Sequence, residues 1–278
     1  MSELTEQEKA ELQALVAETH AAKRRFLQPS ERNSPLRQKE TVDDEEYARR
    51  LARSLQRNQN IVDKERTERI SRSLSEWRNR VGPTFAEATT DNPIIIDRIN
   101  RLTSGEGKHK TSLVLFGNMG VGKSWTCYSF LNLAIANGIA TPGQIVADTE
   151  TSVLGKITSA GYKKPEMLDA LLNDRNKIWF VDDVGQGFFN DPQKRAEVWF
   201  ELLDHIYTHQ LTLLITTNLS PFKTQNGTRS SPLENWIGPR AFDRLRAIIG
   251  HDGLLEPSKV NRRDRVYEEQ EKSYQGNH

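Results

Sequence analysis

The stretch SLVLFGNMGVGKSWTCYSF, Ser112 to Phe130, constrains the fold of this chain more than any other segment. An apolar run stops at Gly117, a short glycine-rich loop follows, and then come Lys123-Ser124 and an amphipathic run. Glycines in such a loop let the backbone curl so that successive N–H groups point inward around an anion. The helix that follows offers its N-terminus to the same anion. The residues Gly117, Asn118, Met119, Gly120, Val121, Gly122, Lys123 and Ser124 match G-x-x-x-x-G-K-[ST]. In that motif the lysine reaches the β- and γ-phosphates of a nucleotide and the hydroxyl ligates Mg²⁺. The flanking strand and helix are the context the motif requires, and a plain turn is the disfavoured alternative.

A second strand end supports a phosphate site. KIWFVDDVG carries apolar residues into Asp182-Asp183. A carboxylate at a strand tip beside the loop suits Mg²⁺ coordination, the role given to Asp182. Asp183 is placed to polarise an attacking water. Two adjacent buried carboxylates without a cation would repel one another and raise a pKa, which disfavours a purely structural role.

Strand-like runs at 111–117, 144–148, 177–183 and 212–218 alternate with helical runs at 123–137, about 151–173 and about 193–209. Near-continuous apolar strands separated by helices predict an α/β fold with a parallel sheet covered on both faces. Residues 1–82 read differently. Thr5 with Glu8 and Thr41 with Asp44 are capping signals, and Tyr47-Leu51-Leu55 and Ile70-Leu74-Trp77-Val81 form stripes one side chain wide on arginine-rich helices. Such helices suit docking to a partner, with Trp77 as the expected anchor, or packing back on the chain's own core. The predicted division is therefore a helical, charged, partner-binding region (1–82), a nucleotide-binding domain (83–265) and a polar tail (266–278).

Composition sets limits on function. Hydrophobic residues make up 36% and charged residues 28%, and the mean hydropathy is −0.69, which points to a part outside any tight core. A net charge of +1 leaves no global field for nucleic acid, so a basic surface must be local. Cys127 is the one cysteine, which excludes an internal disulfide and a cysteine-based zinc module. No apolar run approaches the roughly 20 residues that span a bilayer, and MSELTEQEKAEL is not a signal peptide. These features predict a soluble, cytoplasmic chain without a membrane partner. His205 and His209 have zinc-compatible i, i+4 spacing but no third ligand nearby in the sequence, so metal binding there is disfavoured.

Two further segments complete a pattern. TLLITTNLS ends a strand with the polar Asn218, and ENWIGPRAFDRLR carries Arg240, Arg244 and Arg246. Taken in order, GNMGVGKS, WFVDDVG, LITTNLS and GPRAFDRLR resemble the DnaC/IstB-type AAA+ ATPases, which include bacterial and phage helicase loaders; the resemblance covers about residues 84–265. It implies an AAA+ P-loop NTPase fold using ATP and Mg²⁺, with Asn218 at the sensor-1 position. It further implies that Arg244 is an arginine finger reaching the nucleotide of a neighbouring subunit in a homo-oligomer, with Arg240 assisting. Arg262 or Arg263 falls near the sensor-2 position. Trp125 stands where the family often has histidine, the arginine common before the sensor-1 strand is absent from HIYTHQL, and residues 223–236 form a longer loop than the family pattern.

The function implied is ATP-dependent loading of a DnaB-type replicative helicase onto single-stranded DNA, with the N-terminal helices gripping the helicase. Tyr162, Lys163 and Lys164, or Phe188 and Phe189, are the candidate DNA contacts. The alternatives are an IstB-type transposition helper and an ATP-binding scaffold without productive hydrolysis, the latter left open by Asp183 in place of glutamate.

Overall fold

A computed structural model of the chain describes residues 44–105, 111–163, 177–187, 191–223 and 230–257. The chain divides into two compact units, Met1–Glu68 and Arg69–His278. In the first unit the described residues belong to helix α1 (Asp44–Val81), which continues into the second unit. There the helix carries polar i, i+4 pairs, Gln56 to Asn60 at 3.1 Å and Gln59 to Asp63 at 3.0 Å. Leu55, Ile61 and Val62 are exposed on it. The Tyr47 side chain and the capping signals at Thr5 and Thr41 lie outside the described residues.

Among the described residues, the second unit is built on five parallel strands: β1 (Leu113–Phe116), β2 (Ile145–Thr149), β3 (Ile178–Val184), β4 (Thr212–Thr217) and β5 (Leu254–Leu255), in the order β2-β3-β4-β1-β5. Its helices are the rest of α1, α2 (Pro83–Ala86), α3 (Pro93–Ser104), α4 (Lys123–Ala136), α5 (Glu150–Lys163), α6 (Pro192–Thr208), α7 (Pro232–Ile237) and α8 (Pro239–Ile249). The expected α/β P-loop architecture, a parallel sheet covered by helices, is what the chain adopts. Residues 164–173 of the predicted helix near 151–173 lie outside the described residues.

The apolar runs are continuous because both faces of the sheet are covered. Successive side chains of a strand point to opposite faces. Val114, Trp179, Val181, Leu213 and Ile215 feed one core with residues of α5, α6, α7 and α8. Leu113, Leu115, Ile178, Phe180 and Leu214 feed the other with residues of α1, α3 and α4. A sheet wetted on one side would have needed polar residues at every second position.

Trp77 corrects the expectation that it anchors a partner. Its side chain is 1% exposed in the second core, where Leu74 and Val81 pack beside it. The indole Nε1 donates to Asn132 Oδ1 on α4 at 2.8 Å. Asn132 Nδ2 in turn donates to the carbonyls of Phe85 and Ala88, both at 2.9 Å. The stripe is narrow because it meets only the helical layer that covers one face of the sheet in its own unit. A residue so buried is not available as an interface hot spot.

Candidate nucleotide site

The glycine loop joins β1 to α4 at the C-terminal end of the parallel strands, where open α/β sheets place their ligands. Gly117, Gly120 and Gly122 have φ of 124°, 82° and 90°, values that a side chain would oppose. Lys123 opens α4 and is 6% exposed. Its ammonium donates to the carbonyls of Gly117 at 2.9 Å and Asn118 at 2.8 Å, and to Asn218 Oδ1 at 2.7 Å. Those three acceptors match the three N–H donors of a lysine. Burial holds the Lys123 pKa below its ordinary value, and the charges of Asp183 and Asp182 pull against that shift.

Beside the lysine, Ser124 Oγ donates to Asp182 Oδ1 at 2.9 Å. Thr216 Oγ1, on β4, donates to the same oxygen. Burial raises the Asp182 pKa, the hydrogen bonds from Thr216 and Ser124 oppose that rise, and the neighbouring Asp183 adds to it. A hydroxyl and a carboxylate set together are the hard oxygen donors that Mg²⁺ takes alongside phosphate oxygens and water, so these side chains fit the cation.

Asp183 owes its placement to an irregularity in the strand. The β3–β4 register shifts between Val181 and Val184, and Asp183 has a left-handed φ of 56°. Such a conformation costs energy for a residue with a side chain and persists only when the surroundings hold it. Three bonds do so: Asp183 N to Thr216 Oγ1 at 2.9 Å, Thr217 Oγ1 to the Val184 carbonyl at 2.7 Å, and Gly185 N to Glu150 Oε2 at 2.9 Å. The bulge allows two successive residues to serve one site, whereas a regular strand would turn one of them to the opposite face.

The geometry therefore brings Gly117, Asn118, Lys123, Ser124, Asp182, Asp183 and Asn218 together. Met119 is 71% exposed at the outer side of the loop, whereas Val121 is buried beneath it. Trp125 Nε1 donates to the Thr89 carbonyl at 3.1 Å. Arg244, on α8, is tied to α6: its Nε lies 3.0 Å from Asp204 Oδ1 and its guanidinium 4.9 Å from the Tyr207 ring centroid. Arg240 sits 4.3 Å over the Phe200 ring. Arg262, Arg263, Phe188, Phe189 and Lys164 lie outside the described residues, and the side chains of Tyr162 and Lys163 are likewise not described.

Sequence reasoning missed Thr216, Thr217 and Glu150. The two threonines precede Asn218 directly, and a polar pair closing an otherwise apolar strand was the available signal. Among the described residues, no group of three or more His, Cys, Asp or Glu that could hold a metal is found; Mg²⁺ at a nucleotide site needs only one or two carboxylates. No helix among the described residues is long and apolar enough to cross a membrane.

No family model matches the chain, and no curated protein matches it either. Solved structures do. A structure of the DnaC helicase loader is similar at 16% identity and a TM-score of 0.46, covering 63% of this chain and 99% of that one. A structure of DnaI is similar at 20% identity and a TM-score of 0.43, covering 66% and 94%. AMPPCP-bound DnaA from Aquifex aeolicus is similar at 15% identity and a TM-score of 0.43, covering 65% of this chain and 50% of that one.

Proposed function

We propose that this chain is an AAA+ ATPase of DNA replication that binds ATP with Mg²⁺ at the Lys123 cradle, hydrolyses it, and loads a DnaB-type helicase onto single-stranded DNA. The observation that carries the reading is the convergence of a lysine and a hydroxyl from α4, two adjacent carboxylates from β3 and an asparagine directly after β4 at one end of a parallel sheet. Asp182 is half-buried and Asp183 exposed, so the acidic pair is not the buried pair the sequence suggested; what a structural role leaves unexplained is a lysine only 6% exposed set beside two carboxylates at a glycine-rich loop.

In this reading the loop amides and the Lys123 ammonium grip the β- and γ-phosphates. To reach them, Lys123 exchanges a carbonyl acceptor for phosphate oxygen. Ser124 and Asp182 hold Mg²⁺, which supplies charge neutralisation at the phosphates. Asp183 orients and polarises the attacking water, and Asn218 fixes the lysine and faces the γ-phosphate from the opposite side. Arg244 of a neighbouring subunit completes the site, so hydrolysis belongs to the assembled state, and an arginine supplied in trans is worth about 10³–10⁵ in rate. Arg262 or Arg263 is proposed as the sensor-2 residue. The domain division proposed keeps the helicase contact in the N-terminal helices, with Leu55, Ile61 and Val62 as exposed apolar residues there.

The test combines two measurements on the full chain. Phosphate release is followed with and without single-stranded DNA, and capture of a DnaB-type helicase is followed by sedimentation with and without ATP. Turnover and nucleotide-dependent capture support the reading. Absence of both with an intact fold overturns it, and turnover with capture of a transposase instead moves the chain to the transposition-helper class.

A further inference from the structure

Glu150, one of the groups that hold the turn at Asp183, is a carboxylate only 2% exposed. It opens α5 directly after β2. Its Oε1 accepts from two indoles, Trp199 Nε1 on α6 at 2.8 Å and Trp236 Nε1 on α7 at 2.7 Å. Its Oε2 accepts from Gly185 N at 2.9 Å, two residues past Asp183. A buried charge is tolerated when its lone pairs are filled by donors, and here backbone and side chains supply three.

The packing around Gly185 and Gly187 shows how closely this carboxylate is set against the tip of β3. A Cβ at Gly187 would lie 2.8 Å from Thr151 Oγ1 and 3.1 Å from Glu150 Oε2. A Cβ at Gly185 would lie 2.5 Å from Leu219 Cδ1, beside Asn218. At its two glycines the segment that leaves Asp183 is thus set closely against α5 and the residue after Asn218, while the side chain of Gln186 between them is exposed. On the far side, Arg195 stacks 3.6 Å over the Trp236 ring and donates from Nε to the Trp236 carbonyl at 2.9 Å. Trp236 lies on α7, which meets α8, the helix of Arg240 and Arg244, at Gly238.

We propose that Glu150 is a positioning residue for hydrolysis: by holding the Gly185 amide it fixes the left-handed turn that aims Asp183, and through the two indoles it ties that turn to α6 and to α7, which leads into the arginine-bearing α8. The inference rests on the hydrolytic reading of the site. Charge is required because three donors converge on two oxygens; a glutamine would turn its own NH₂ toward either the Gly185 amide or the indoles, donor against donor.

The experiment uses the full chain and Glu150→Gln, measuring steady-state phosphate release, affinity for a fluorescent ATP analogue and the melting temperature. The expected result is a kcat lower by about tenfold or more with analogue affinity within about twofold of wild type, the signature of an interaction that matters beyond ground-state binding. A lower melting temperature with wild-type kcat overturns the proposal and leaves Glu150 a structural residue. If Glu150→Gln does not fold, Trp236→Phe keeps an aromatic ring of smaller size and removes one donor; a several-fold lower kcat at unchanged affinity supports the proposal, and an unchanged kcat overturns it. Asp183→Asn serves as the reference: wild-type turnover in that variant overturns both the role of Glu150 and the hydrolytic reading, whereas a failure confined to the Glu150 and Trp236 variants overturns only the former.

Discussion

Asn218 Oδ1 accepts from Lys123 Nζ at 2.7 Å, joining the ends of two adjacent parallel strands through residues 95 apart in sequence. The asparagine supplies one of the lysine's three acceptors and fixes where the ammonium sits. Lys123→Ala removes a charge-assisted phosphate contact, and such hydrogen bonds are worth about 1.5–3 kcal/mol. Affinity for a fluorescent ATP analogue is expected to fall by about 10- to 100-fold, and unchanged affinity in a folded variant would contradict the cradle assignment. Asn218→Ala leaves both carbonyl acceptors in place. Its analogue affinity is expected to change by less than that of Lys123→Ala, while phosphate release falls about tenfold or more.

Asp182 gives a prediction with opposite signs for stability and activity. Burial raises its pKa above the ordinary aspartate value of 3.8, so the nucleotide-free fold holds the proton more tightly than the unfolded chain does. That contribution to stability is complete below 3.8 and is lost as pH rises through the raised folded value. Asp182→Asn keeps an acceptor oxygen for Ser124 and Thr216 and removes the buried charge. Its melting temperature at neutral pH is expected to rise by about 2–4 °C, the equivalent of about 1 kcal/mol in a domain of this size. Mg²⁺-dependent phosphate release is expected to be lost in the same variant. A calorimetric scan without nucleotide checks the first point, and a lower melting temperature would mean that the carboxylate is already compensated by its two hydroxyl donors.

The cradle was legible because its chemistry is local: glycines, lysine and serine follow one another, and the apolar runs on each side declare strand and helix. The acidic pair was legible for the same reason. What the sequence withheld was contact across distance. Glu150 and Trp236 are 86 residues apart, and no local pattern links a glutamate at a helix start to an indole on another helix. The two-residue strand β5 escaped because two residues show no periodicity. The Trp77 stripe was read correctly as a narrow helical face, but a narrow face carries no label for what covers it, and its own core does.

Arg244 is held at rest by Asp204 and Tyr207, both on α6. At this exposure the ion pair is worth little to stability, about 0–1 kcal/mol. Arg244→Ala is therefore expected to leave the melting temperature and monomer nucleotide affinity near wild type, while abolishing turnover in the assembled state. Mixing it with Lys123→Ala protein checks the direction of action, because one subunit then carries an intact cradle and the other an intact arginine. Recovery of phosphate release in the mixture is expected; co-assembly without recovery would mean that Arg244 does not act in trans.

Trp77 and the contact boundary at Glu68–Arg69 together give a truncation test. The α1 residues after that boundary bring Trp77 and its partly buried neighbours Leu74 and Val81 into the second core, and Arg80 Nη1 donates to the Pro142 carbonyl at 2.8 Å. Removing residues 1–82 would strip this layer, expose Asn132 and free the segment it holds from Phe85 to Ala88. That segment runs directly into Thr89, whose carbonyl receives the Trp125 indole at the start of α4. A buried large aromatic truncated to alanine costs about 3–5 kcal/mol. Trp77→Ala is therefore expected to lower the melting temperature by on the order of 10 °C. A fragment beginning at residue 69 is expected to unfold cooperatively near the full-length temperature, and one beginning at residue 83 to melt well below it with weaker ATP-analogue binding. Equal melting temperatures for the two fragments would show that residues 69–82 add nothing to the core. If the residue-69 fragment keeps its stability and still captures the helicase at full-length affinity, residues 1–68 are not the helicase contact.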